Sequence, residues 1–217
     1  MTAAFLQREQ PQQCELFAGF EWIAKFAEGW QWGEQGILAE LVRRIGGVNC
    51  AVEIGAGDGE ELPLTLERLV GKYPVMCYEQ DDEARDKLKA KFGDDVACLP
   101  EFRDGENLKL TQPELVLIDV DGIDVLFMQI VLASCKPRLL MVEHYDKAGP
   151  YVNDMPQAEF QPPSWLLGMR TFNGFVIQAP SQCLDRLAAV HGMQPIYRTR
   201  CNSIYATNAT AEDLRNV

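Results

Sequence analysis

The chain is short of the features that mark several large functional classes. It carries 20 Lys and Arg against 32 Asp and Glu, a formal net charge of −12. Nucleic-acid binding draws most of its affinity from neutralised phosphates, so no nucleic-acid partner is expected. No apolar run reaches the roughly 18 residues that a membrane-spanning helix needs. The opening, MTAAFLQREQPQQ, has no basic stretch followed by an apolar one, so no signal peptide is expected. The seven cysteines form no C-x-x-C pair, and Cys50, Cys77 and Cys98 fall in or beside apolar runs, where a thiol acts as a small hydrophobe. A reducing, cytoplasmic setting follows as the expectation. Histidine is scarce as well: only His144 and His191.

What is present is an alternation of two periods. Leu16, Phe17, Phe20, Ala24 and Ala27 form one helical stripe; Ile37, Leu38, Leu41, Val42 and Ile45 form another, stopped at Gly46-Gly47. Short apolar runs then read as strands at 51–55, 75–79, 95–99, 115–120 and 138–145. Helices are predicted between them, across 60–71, around Ala84, Leu88 and Phe92, and over the apolar segment 123–135. A last helix runs through Leu184, Leu187 and Ala188 to His191, and PIYRT and SIYAT, separated by RCN, read as an antiparallel hairpin. The expected fold is α/β: a Rossmann-like, seven-stranded, mostly parallel sheet with helices on both faces and a C-terminal antiparallel hairpin. Residues 1–47 are expected to be helices capping the site of a domain spanning 48–217, the whole forming one compact unit.

The stretch CAVEIGAGDGEELP, 50–63, sets three glycines at alternate positions after a strand. Gly55, Gly57 and Gly59 miss the dinucleotide fingerprint, whose last glycine position is Glu60 here, and a P-loop G-K-[ST] is absent. Glu53 and Asp58 put negative charge where a pyrophosphate would lie, which suits a cationic ligand instead. A sulfonium with an α-amino group, as in S-adenosylmethionine, meets that requirement. Glu79 ends the second strand, where a carboxylate can accept both hydroxyls of a ribose. Glu53, Glu79, Asp119 and Glu143 all fall at or near carboxyl ends of strands, where open α/β sheets bind ligands.

VEIGAGDGE with YEQ resembles motifs I and II of class I S-adenosylmethionine-dependent methyltransferases. More narrowly, QWGEQGILAEL, VEIGAGDGE, LVLIDVDGID and RLLMVEHY, in that order over about 31–145, resemble FkbM-like methyltransferases. The resemblance implies a methyltransferase acting on a hydroxyl of a small molecule or carbohydrate. It implies cofactor contacts from Gly55, Ala56, Gly57, Asp58 and Gly59, a ribose contact from Glu79 with Gln80 beside it, and an adenine border around Leu99 and Pro100. Gln31, Gly33 and Glu34 match the entry motif and would close over the cofactor.

The run IDVDGID clusters Asp119, Asp121 and Asp124 at the mouth of the sheet. Clustered carboxylates repel unless protonated or bridged by a cation, so a divalent cation such as Mg²⁺ on Asp119, Asp121 and Glu143 is one reading. In the other, Asp119 bonds the cofactor's amino group, Asp121 takes a turn and Asp124 caps the next helix. Methylation of an alcohol needs a base, and His144 is the candidate, with Asp121 and Glu143 beside it; His191 reads as a helix end. The Pro-rich segment 146–165 is expected to shape the acceptor pocket, and Trp22, Trp30 and Trp32 either stack on the acceptor or fill the core. Two alternatives stay open: a methyltransferase fold kept only for binding or assembly, and a metal-dependent sugar-nucleotide transferase using Asp119-Val120-Asp121 as D-x-D.

Overall fold

A computed structural model describes residues 15–29, 33–60, 64–100, 102, 105–120, 123–144, 171–172, 175–176 and 179–216. Five short, largely apolar runs make the parallel centre of the sheet, as near-continuous burial on both faces requires. They are β2 (Ala51–Ile54), β3 (Val75–Tyr78), β4 (Val96–Leu99), β5 (Leu115–Ile118) and β6 (Leu139–Glu143). The hairpin β9 (Met193–Arg198) and β10 (Asn202–Thr207) adds two antiparallel strands, and β1 (Glu15–Leu16) joins the edge of β9. The strand order is β1-β9-β10-β6-β5-β2-β3-β4. Direction along the sheet therefore reverses between β2 and β5, which opens a crevice at their carboxyl ends. A separate two-stranded pair, β7 (Thr171–Phe172) and β8 (Phe175–Val176), was not foreseen from sequence.

Alternate residues of the strands feed two cores. Ala51, Cys77, Leu115, Leu117, Met141 and Ile204 pack with α1 (Glu34–Arg44), α2 (Asp82–Phe92) and α6 (Asn208–Arg215). Val52, Ile54, Tyr78, Val116, Ile118, Val142 and Tyr205 pack with α3 (Glu106–Thr111), α4 (Asp124–Ser134) and α5 (Ser181–Val190). The expected α/β layering is present, with eight strands in place of seven. Among the described residues no helix is long and apolar enough to cross a membrane. Burial pushes the thiols of Cys50 and Cys98 up, Cys77 well up and Cys135 to about 12, so all four pack as apolar groups.

Two predicted helices are corrected. The 16–27 stripe is a strand followed by a six-residue 3₁₀ helix, Glu21–Phe26. The described part of 60–71 holds only a 3₁₀ turn, Glu67–Leu69, because the N–H groups of Thr65 and Leu66 go to the Glu53 carboxylate rather than to a helix ladder. The start of α1 is wound tightly against the first of these. Gly36 N–H donates to the Glu28 carbonyl at 2.9 Å, and a Cβ on Gly36 would stand 2.2 Å from the Phe26 carbonyl oxygen.

This contact fixes the sign of a substitution. In an open helix Gly→Ala stabilises by up to about 1 kcal/mol. Gly36→Ala is instead expected to destabilise by about 1–3 kcal/mol through overpacking against backbone, lowering the thermal midpoint by roughly 2–10 °C. A raised midpoint would show that the 3₁₀ helix does not press on α1.

Candidate functional site

The site is built at the crevice. Asp119 N–H donates to the Ile54 carbonyl (2.9 Å) and Gly55 N–H to the Tyr78 carbonyl (2.9 Å), so β2 stays paired with both neighbours to its last residue. At Gly55, φ is +86°, and a Cβ there would lie 1.7 Å from the Asp119 carbonyl oxygen. Only glycine fits. Gly57 and Gly59 also have positive φ, 64° and 72°. Ala56 is buried, and its N–H reaches the Tyr78 carbonyl at 3.3 Å.

Continuing the strand registers one residue past Ile54↔Tyr78, Ile54↔Ile118 and Ile118↔Val142 puts Glu79, Gly55, Asp119 and Glu143 on one level. Asn202 of β10 pairs with Glu143 in that row. By strand alternation the row lies on the α1 side of the sheet, two residues beyond Cys77, Leu117 and Met141. Three of the four strand ends thus carry carboxylates, and Gly55, between Glu79 and Asp119, carries no side chain. Glu53 lies two residues below Gly55.

Each sequence-predicted residue has a definite place. Glu79 Oε2 accepts from Gly57 N–H (2.9 Å) and Oε1 from Asp81 N–H (2.9 Å), so one carboxylate ties the glycine loop to the end of β3. Glu79 N–H donates to the Leu99 carbonyl (3.0 Å), bringing Leu99 to the same rim. Gln80 is exposed, and its carbonyl accepts from Arg85 at 2.9 Å. Asp58 faces Lys87 at 3.3 Å, a partner that sequence reasoning missed, although Lys87 and Lys91 stand one helical turn apart on α2. Lys91 also holds the loop through the Gly59 carbonyl, at 2.6 Å. Asp124 is the first residue of α4 rather than its N-cap, and its Oδ1 accepts from Val120 N–H at 2.9 Å, closing the loop after β5. Asp121, Gln31, Trp30, Trp32 and the segment 146–165 lie outside the described residues. Among the described residues no group of three His, Cys, Asp or Glu could hold a metal ion.

At the end of β6, His144 is 1% exposed and its backbone N–H donates to the Cys201 carbonyl at 2.6 Å. Sequence reasoning placed Glu34 near the cofactor, but its carboxylate reaches the β9–β10 turn. Oε1 accepts from the Thr199 hydroxyl (3.1 Å) and from the Asn202 amide (3.2 Å). The next residue, Gln35, donates to the Leu64 carbonyl at 3.1 Å, so the start of α1 spans from the turn to the segment after the glycine loop. Trp22 stacks under the Arg44 guanidinium, 3.8 Å from the ring centroid, on the core side of this region.

Glu53 is a buried acid with a strongly shifted pKa. Its oxygens accept from Thr65 and Leu66 N–H, each at 3.1 Å, which favours the carboxylate. Burial outweighs those bonds and Asp119 adds repulsion, so its pKa rises from 4.5 to about 7.

The chain has the fold of class I S-adenosylmethionine-dependent methyltransferases. A Klebsiella pneumoniae protein assigned as an O-methyltransferase shares it at a TM-score of 0.53 and 15% identity, covering 89% of this chain and 91% of that one. Cofactor-bound Rv0187 from MTB aligns at 0.51 and 15% identity, over 85% and 86% of the two chains. DesVI of Streptomyces venezuelae aligns at 0.50 and 12%, over 80% and 90%. No protein-family model and no curated protein matches the chain.

The raised Glu53 pKa carries a signed prediction. The folded chain holds this proton where the unfolded chain has lost it, so the associated stability is full below pH 4.5 and is lost as pH rises to about 7. Urea unfolding of wild type and Glu53→Gln at pH 5, 6, 7 and 8 is expected to show wild type losing about 3 kcal/mol at most relative to the variant, the loss running through pH 7 and levelling off near pH 8. A difference independent of pH would contradict the buried-acid account.

Proposed function

We propose that this chain is an S-adenosylmethionine-dependent methyltransferase that methylates a hydroxyl of a small molecule or carbohydrate, in the manner of the FkbM-like group. The observation that carries the reading is the level row Glu79–Gly55–Asp119–Glu143 at the strand reversal. Acidic side chains flank the turn at Gly55, which suits a ligand that carries positive charge. A diphosphate would meet repulsion from three of the four positions. The Klebsiella neighbour's description as an O-methyltransferase agrees with a hydroxyl acceptor. The narrower family rests on the four ordered motifs of the sequence.

In this reading Gly55, Ala56, Gly57, Asp58 and Gly59 line the cofactor's amino-acid end with Glu53 behind them. Asp119 accepts from the ammonium, Glu79 with Gln80 takes the ribose, and Leu99 borders the base. The bound cofactor supplies an electrophilic methyl group on a sulfonium. This chain's own residues hold the acceptor oxygen in line with it and take its proton, which is assigned to His144 with Glu143 and Asp121 alongside. Residues 1–47 cover the mouth. A cytoplasmic location agrees with seven cysteines without a C-x-x-C pair.

Thermal unfolding tests the cofactor directly. At a hundredfold their dissociation constants, S-adenosylmethionine or S-adenosylhomocysteine adds roughly 2.7 kcal/mol, or about 5–10 °C for a domain of this size. ATP and NAD are expected to add nothing. Glu79→Ala removes the anchor of the glycine loop and the ribose acceptor together, and is expected to weaken S-adenosylhomocysteine at least about tenfold. Equal shifts by all four ligands, or none by any, would overturn the assignment.

A further inference from the structure

The acceptor end of the row holds a buried oxygen that the fold leaves unmatched. Asn202 is 2% exposed, and its Oδ1 has no hydrogen-bond partner. Buried amide oxygens are nearly always bonded, so an exception calls for a reason. The orientation of this amide follows from chemistry. Its Nδ2 donates to Glu34 Oε1 at 3.2 Å, and a carboxylate only accepts, so the NH₂ edge must face Glu34 and the carbonyl must face away. Thr199 reinforces this, giving its one hydroxyl proton to the same Glu34 oxygen while accepting from Asn202 N–H at 3.0 Å. The turn is thereby fixed on both sides of residue 202. Asn202 stands level with Glu143 at the carboxyl end of β6, next to His144, whose backbone is held by Cys201 of the same turn.

We infer that Asn202 Oδ1 is a subsite for the molecule to be methylated, accepting a hydrogen bond from an O–H or N–H that this molecule carries besides its reacting atom. The inference rests on the methyltransferase reading for what happens at the site, but not for the presence of the acceptor oxygen. With Glu143 as neighbour, this end of the row offers only acceptors at those two side chains once Glu34 Oε1 and Cys201 Sγ, at 3.6 Å, have taken the two amide protons. It therefore selects a polyol, a vicinal diol or an amino alcohol over a molecule whose second oxygen is already capped. Glu34 is a positioning residue: it acts through Asn202 by fixing which edge of the amide is presented.

The test follows the Asn202 side-chain amide by ¹⁵N–¹H spectra of the full chain saturated with S-adenosylhomocysteine, its resonance identified by loss in Asn202→Asp. D-glucose, catechol and ethanolamine serve as donor-bearing probes and 1,2-dimethoxybenzene as the donor-free control. At least one donor-bearing probe is expected to move the resonance, and the control to leave it in place. Glu34→Gln lets the amide turn its oxygen to the new NH₂ group, so this variant is expected to lose the probe response while keeping the full S-adenosylhomocysteine shift in midpoint. A resonance unmoved by all three donors, or moved equally by the control, overturns the inference. A Glu34→Gln chain that keeps the probe response also overturns it. A chain that ignores S-adenosylhomocysteine yet shows the Asn202 response keeps the donor subsite and loses the methyltransferase reading, so the two fail separately.

Discussion

The approach of the Asp119 carbonyl to Gly55 is the constraint on which the rest of the site depends. No side chain fits between them, since a Cβ would lie 1.7 Å from that oxygen. Because position 55 is glycine, β2 and β5 stay hydrogen-bonded to their last residues before the chain turns away on opposite sides. The same pairing, carried outward through β3, β6 and β10, brings Glu79, Asp119, Glu143 and Asn202 level. A row that spans five strands is thus a consequence of one close backbone contact and of ordinary parallel register.

Gathering acids along one edge has an energetic consequence. Glu53 is buried beneath Gly55, and even two backbone N–H bonds do not hold its pKa in the ordinary range. A cation bound along the row would relieve the repulsion from Asp119 and favour the charged form, so binding and ionisation are linked. On the outer side, Lys87 and Lys91 of α2 already hold Asp58 and the Gly59 carbonyl. The loop is therefore neutralised at its rim and left acidic at its floor. That asymmetry points the attraction inward.

The parallel strands were legible because each is a short apolar run bounded by turn residues, and the two faces follow from simple alternation. The glycine loop was legible for the same local reasons. What escaped the sequence depends on partners far along the chain. The stretch 60–71 has helical spacing, yet Glu53 draws off the N–H groups of Thr65 and Leu66. The stripe at 16–27 tightens into a 3₁₀ helix where Gly36 lets α1 press against Phe26. The short helices α3 and α6 went unforeseen, at six and eight residues. Glu34 was noticed as part of a motif, but its bond to Asn202 crosses 168 positions and no spacing rule could supply it. Lys87 reaches Asp58 across 29 positions, from a helix whose facing toward the glycine loop is set by tertiary packing rather than by any local pattern.

The central claim is that this row takes up a cation. Calorimetric titration with S-adenosylmethionine at pH 6 and pH 8, in buffers of different ionisation enthalpy, tests it most directly, with ATP as the control. The account predicts selective binding of S-adenosylmethionine, tighter at pH 8, with protons released at pH 6 as Glu53 ionises beside the incoming charge. Binding of ATP in preference, or no binding of S-adenosylmethionine at either pH, would contradict it.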